Sequence, residues 1–137
     1  MQKVAAGKTL GDLFNIKGNS PVWLLGRRWM AENMVVALEY SYFPVKWIPD
    51  FSKDLCTESW EILFTQRQLM PSRIEQAVRG VRVYGEEAQM MRVHKGAGVF
   101  LVNQQLMMEN QRILCFSKIL AQSQKVMHYL KEPISKC

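Results

Sequence analysis

The sequence predicts an α+β fold, an antiparallel sheet with short helices packed on one side of it. Three observations lead there. Two pairs of apolar, β-branched and aromatic runs are each broken by a short polar turn, as hairpins are. Two further stretches space their apolar residues as helices do. The 137-residue chain shows no repeat or low-complexity tract and no linker that divides it, so it has room for one core.

The first ten or so residues are small and polar and read as a loose lead-in. "DLFNIKGNSP" (12–21) is a short apolar segment that ends in turn chemistry. "VWLLGRRWM" (22–30), the break "AEN" and "MVVALEYSYF" (34–43) form two antiparallel strands. A two-residue loop, Glu32-Asn33, pairs Arg27 with Leu38, whereas a three-residue loop pairs Arg27 with Glu39 on one face. Asn33 tolerates a left-handed backbone, so the three-residue loop is expected. A proline-containing loop (44–58) follows, then a helix in "SWEILFTQRQL" with Trp60, Leu63 and Phe64 on one side. Thr57 is its expected N-cap, with Ser59 in the first turn, where backbone N–H groups lack helical partners. "SRIEQAVRGVRVYG" alternates as a strand. "EEAQMMRVHKG" is acidic at its start, basic at its end and closed by Gly96, as a short helix is. "GVFLVNQQLMM", "ENQ" and "RILCFSKIL" make the second hairpin, and the tail from Gln122 adds part of a strand.

Composition excludes several classes. The hydrophobic fraction is 48% and the charged fraction 22%, ordinary for a soluble globular protein. No apolar run approaches the roughly eighteen residues that span a bilayer, and "MQKVAAGKTL" lacks the apolar stretch of a secretion signal. A cytoplasmic protein without a membrane partner is expected. The net charge of +6 is spread along the chain, with no basic run longer than Arg27-Arg28, which describes a solvated surface better than a nucleic-acid site. Cys56, Cys115 and Cys137 lack CxxC spacing and read as reduced thiols, and His94 and His128 stand alone. There is no glycine-rich phosphate loop, nucleophile elbow, HExxH or acidic cluster, so no metal, cofactor or catalytic residue is expected. The methionines, Met90, Met91, Met107 and Met108 among them, read as core filler or as the lining of an adaptable pocket.

The charge within the first hairpin is more informative. Arg27 and Glu39 form either a cross-strand ion pair or the two sides of a ligand site, and the pattern allows both. Ser59 is either a helix cap or, with the free N–H groups beside it, an anion contact. Trp23 and Trp29 share Arg27's face and either pack the core or wall a ligand.

In order and spacing, "DLFNI", "LLGRRW", "AEN", "MVVALEYSYFP", "PDFSKDL", "SWEILF", "EQAVRGVRVYGEEAQMM" and "VFLVNQQLMMENQRILCFSK" resemble the UTRA domain over about residues 10 to 120. UTRA domains are the effector-sensing domains of GntR-type transcription regulators of the HutC-like subfamily. The resemblance implies a chorismate-lyase-like fold around a small-molecule pocket, and homodimerisation through this domain. It also implies operator DNA binding through an N-terminal winged helix-turn-helix that residues 1–137 do not include. On this reading residues 1–9 are the remnant of an interdomain linker and 10–137 the effector domain.

Arg27 matches the first Arg of the family's R-x-R, Glu39 its pocket glutamate and Ser59 the serine opening its helix. Arg28 takes the middle position and should face away. Trp29 stands at the second Arg, Glu61 at a frequent tyrosine and Cys115 at a frequent glutamate. The implied effector-binding set is therefore Arg27, Trp29, Glu39, Ser59, Glu61 and Cys115. One Arg rather than two, with Trp29 and Cys115, favours a monoanionic or amphipathic effector over a sugar phosphate. Substituting Arg27 or Glu39 should then cost the ligand and leave the fold. The alternative is an enzyme like chorismate lyase acting on a small carboxylate, which usually needs more than one Arg to hold its substrate.

Overall fold

The computed structural model describes residues 1–122. Along the chain run β1 (Gln2–Ala5), α1 (Gly7–Phe14), β2 (Pro21–Ala31), β3 (Met34–Pro44), α2 (Trp60–Gln66), β4 (Arg73–Arg82), α3 (Gly85–Met91), β5 (Gly98–Met107) and β6 (Ile113–Ala121). The six strands form one sheet in the order β1-β2-β3-β6-β5-β4, each antiparallel to its neighbours. Both expected hairpins are present, β2–β3 and β5–β6, and the second docks on the first through β6.

Three local expectations need correction. The lead-in is not loose: residues 2–5 add an edge strand to β2, and a helix runs from Gly7 to Phe14. That helix repeats its apolar residues over only two turns, too few to stand out in the sequence. Ser59, not Thr57, caps α2, its Oγ accepting a hydrogen bond from the Ile62 N–H at 3.2 Å. Helices also cover both faces of the sheet rather than one. Strand register puts Trp23, Leu25, Phe43, Leu106 and Cys115 on one face, where Trp60, Leu63 and Phe64 of α2 pack on them. On the other face Phe14 of α1 meets Val22, while Ala88 and Met91 of α3 meet Leu38 and Leu120. Each buried large side chain of this kind contributes about 1.5–3 kcal/mol.

The loop after β3 is bound down rather than free. Trp23 Nε1 donates to the Ile48 carbonyl at 2.9 Å, and the Phe43 ring lies 5.2 Å from both Phe51 and Trp60. Such aromatic contacts hold the loop and the start of α2 over the middle of β2 and β3. Of the methionines, Met91 and Met107 are buried as core filler while Met90 is exposed. Cys115 is a free buried thiol, but Cys56 is not free, contrary to the expectation of reduced cysteines. Cys137 and most of the expected terminal strand lie outside the described residues. Gln122 itself donates its backbone N–H to the Val36 carbonyl. No helix among the described residues is long and apolar enough to cross a membrane.

The register of the first hairpin pairs Arg27 with Glu39 as expected, by a different device. Ala31 pairs with Met34 and Met30 with Val35, so only Glu32 and Asn33 form the turn. The register then shifts between Met30 and Trp29, which pairs with Ala37, so the extra residue sits in a β-bulge at Val36. The left-handed residue is Glu32, at φ 55°, rather than Asn33. A Glu there carries the steric cost of a left-handed side chain. Glu32→Gly should therefore stabilise the protein by up to about 1 kcal/mol, less the entropy glycine loses on folding. Urea denaturation checks this, and a lower midpoint contradicts it.

Candidate functional site

Alternation along β2 sends Arg27 and Trp29 to the face beneath α2 and leaves Arg28 exposed. On β3 the same parity brings Glu39 and Ser41 under the helix, and β6 adds Ser117 opposite Ser41. Arg27 is 5% exposed and Glu39 3%, so the pair is inside the protein, not at a sheet edge.

Its hydrogen bonds are dense. Arg27 Nη2 donates to Glu39 Oε1 at 2.7 Å, and Nη1 donates to the carbonyls of Cys56 (3.0 Å) and Glu58 (3.3 Å). Glu39 Oε1 also accepts from Ser41 Oγ at 2.6 Å and Trp60 Nε1 at 3.0 Å, while Oε2 accepts from Trp29 Nε1 at 2.7 Å. The guanidinium lies between two indoles, 4.2 Å from the Trp60 centroid and 4.8 Å from that of Trp29. Ser41 and Ser117 share a hydrogen bond of 2.7 Å, and Cys115 Sγ lies 3.8 Å from Ser117 Oγ. One donor is left over: Arg27 Nε–H is buried without a partner. Such orphans are rare in native proteins and call for an explanation.

Burial pushes the Glu39 carboxyl up, but the Arg27 charge and hydrogen bonds from Arg27, Ser41 and Trp60 outweigh it and hold the group below its ordinary value. Burial, then the negative charge of Glu39, pushes the Cys115 thiol up to about 12, so at neutral pH it is neither thiolate nor nucleophile. His94 is exposed and away from this cluster, and His128 lies outside the described residues. Among the described residues of this cluster the polar groups are hydrogen-bond donors and acceptors, with no activated nucleophile.

Of the six expected residues, the structure brings Arg27, Trp29 and Glu39 into direct contact, with Cys115 joined through Ser117 and Ser41. Ser59 is half-buried and its hydroxyl caps α2 instead. Glu61 is exposed on the first turn of α2 and lines a groove of about 270 Å³ with Thr65, Ile74 and Leu106. Trp23 packs in the core. Sequence reasoning missed Ser41, Ser117 and Trp60. Ser41 was within reach, lying two residues from Glu39 on the same face. Trp60 looked like any apolar helix residue, and nothing in a sequence marks the Cys56 and Glu58 carbonyls.

The sheet, its order and the short helices over it define an α+β fold. The family model described as the UTRA domain matches residues 1–126, and the chain belongs to that family. The fold is shared with the ligand-binding domain of a putative GntR-family transcriptional regulator from Bordetella bronchiseptica: TM-score 0.81, 16% identity, covering 90% of this chain and 80% of that one. The C-terminal domain of Yurk from Bacillus subtilis is similar at TM-score 0.77 and 19% identity, covering 88% of this chain and 84% of that one. The effector domain of PhnF from Mycobacterium smegmatis gives 0.77 and 16%, covering 89% and 76%. No curated protein matches the sequence.

The buried pair has a consequence for substitution that the expectation of an unaffected fold overlooked. Arg27→Ala leaves a carboxylate buried without its cation, which should cost about 3–5 kcal/mol. The double variant Arg27→Met/Glu39→Leu should lose less than the sum of the two single changes. Chemical denaturation of Arg27→Ala, of the double variant and of its two single changes measures both.

The depressed Glu39 carboxyl also sets a pH dependence. Its contribution to stability is complete above the ordinary carboxylate value of 4.5 and is lost as pH falls through the lower folded-state value. Glu39→Gln should therefore flatten the acid limb of a stability–pH curve; an unchanged limb would contradict this.

Proposed function

We propose that this chain is the effector-sensing domain of a bacterial GntR-type regulator, of the HutC-like kind, and that it binds a small metabolite beneath α2. The orphaned Nε–H of a buried Arg27 carries this reading. A carboxylate approaching the guanidinium edge would accept from Nε–H and one Nη, the bidentate geometry Arg favours. Trp29 and Trp60 would flank it. Because Glu39 already neutralises Arg27, the site gains little from a dianion. A monoanionic or amphipathic effector fits better than a sugar phosphate.

The Cys56 and Glu58 carbonyls occupy Nη1, and Glu39 occupies Nη2, the nitrogen that shares an edge with Nε–H. An acid bound at that edge would turn the guanidinium, weaken the Nη1 contacts and shift the 56–60 segment, and α2 with it. That is population shift in its ordinary form, limited by the effector's differential affinity for the two arrangements. Operator DNA is contacted by a winged helix-turn-helix outside residues 1–137, and the regulator works as a cytoplasmic homodimer with no chemistry of its own.

Native mass spectrometry of the purified chain reports any retained small molecule, and thermal melts with a panel of acids test its class. At a hundredfold excess over its dissociation constant, a true effector adds about 2.7 kcal/mol of stability. Small monocarboxylates or apolar acids should raise the melting temperature. A rise with sugar phosphates alone would overturn the assignment.

A further inference from the structure

We propose that the corner formed by Lys46, Trp47 and Arg112 is a second anion site, separate from the charged pair under α2, and that it takes a phosphate group. The inference does not depend on the effector reading.

Two turns of the chain bring these residues together. After β3 the backbone makes one turn of 3-10 helix, Val45–Trp47. The turn between β5 and β6 is closed by the Met108 N–H donating to the Arg112 carbonyl at 2.9 Å, and the Asn110 side chain accepts from the Arg112 backbone N–H. Trp47 and Met108 both pack, partly buried, on the core beneath α2. The Arg112 Cζ lies 4.7 Å from the Trp47 ring centroid, and Lys46 Nζ lies 4.9 Å from it.

Two donors at this corner have no acceptor. Trp47 Nε1–H and Arg112 Nε–H are both buried without a partner, a state that only Arg27 Nε shares among the described residues. Native proteins leave few such groups, and two side by side call for a common explanation. Nε is bonded directly to Cζ and Nε1 belongs to the indole, so both donors lie close enough to serve oxygens of one small anion. Arg112 and Trp47 are half-buried and Lys46 is exposed, so a swing of the Arg112 side chain opens the corner to solvent.

The charge at the corner is uncompensated. Among the described residues neither Lys46 nor Arg112 forms an ion pair. Asp50, close to Trp47 in the chain, is held by Arg67 at 2.9 Å, and Glu109, in the same turn as Arg112, pairs with neither cation. The pair under α2 is the reverse case, since Glu39 there neutralises Arg27. Two cations beside two free N–H groups suit a dianion, and phosphate has oxygens enough for all four. Lys46 also lines a groove of about 750 Å³ with Ile16, Lys17 and Val45, and no carboxylate lines it. That groove has room for the organic part of a phosphate ester held at the corner.

Nitrogen–proton NMR spectra of the full chain, titrated with inorganic phosphate, test the site. Trp47→Phe identifies the Trp47 indole signal among those of the four tryptophans. Phosphate should move that signal saturably, whereas sodium chloride at matched ionic strength should not. Arg112→Gln should raise the apparent dissociation constant about tenfold or more. Lys46→Gln, at an exposed position that leaves the fold alone, should also raise it. A Trp47 signal that phosphate leaves in place, or moves equally in both variants, overturns the site. Movement of Trp29 and Trp60 with Trp47 unmoved puts the anion under α2 and overturns it as well. Glycerol phosphate, titrated in parallel, separates the two sources of the group: an ester that uses the groove binds more tightly than the free ion. Melts with carboxylic acids on Arg112→Gln report the site under α2 alone, so the failure of one site is read apart from that of the other.

Discussion

Much of this structure is arranged around one buried pair of opposite charges. An arginine and a glutamate removed from water cost several kcal/mol each before they interact, and only close contact with further hydrogen bonds offsets that cost. The Glu39 carboxylate accepts four such bonds, from Arg27, Trp29, Ser41 and Trp60. Those partners come from β2, β3 and α2, and Ser117 extends the network to β6. The β-bulge at Val36 is what keeps the two charges opposite each other despite a two-residue turn. Without it, one step of register would turn Glu39 away from α2.

The same pair orders the segment that covers it. Trp60 is part of the core through Phe43 and Phe51 and part of the charged cage through its N–H. The Cys56 and Glu58 carbonyls bind the Arg27 guanidinium, so the loop before α2 is tied to the charged pair as well as to the aromatic core.

The two sides of the sheet divide their tasks. The face under α2 holds the cage, while α1 and α3 close the opposite face mainly with apolar contacts. The far edge, β4, has almost no buried side chain and stands two strands from Ser117 and the cage, with β5 between it and β6.

By itself the sequence determined the strands of both hairpins, α2, α3 and the α+β class, because periodicities of two and of three to four residues are local properties. It put Trp29 on the face of Arg27 and Ser41 on that of Glu39, since parity along a strand follows from the pleat. That the two charges share a face was settled by the bulge at Val36, which no pattern in the sequence marks. It did not reveal β1 or α1, whose segments are too short for a period to register and are stabilised by what they pack on. Nor did it place Ser59 rather than Thr57 at the cap of α2, because the choice turns on where the helix begins. Only the tertiary structure decided that Trp60 and two loop carbonyls complete the cage, and that Cys115 is inert within it. Those are contacts between segments distant in the chain, set by how α2 lies across the sheet, and no local pattern encodes them.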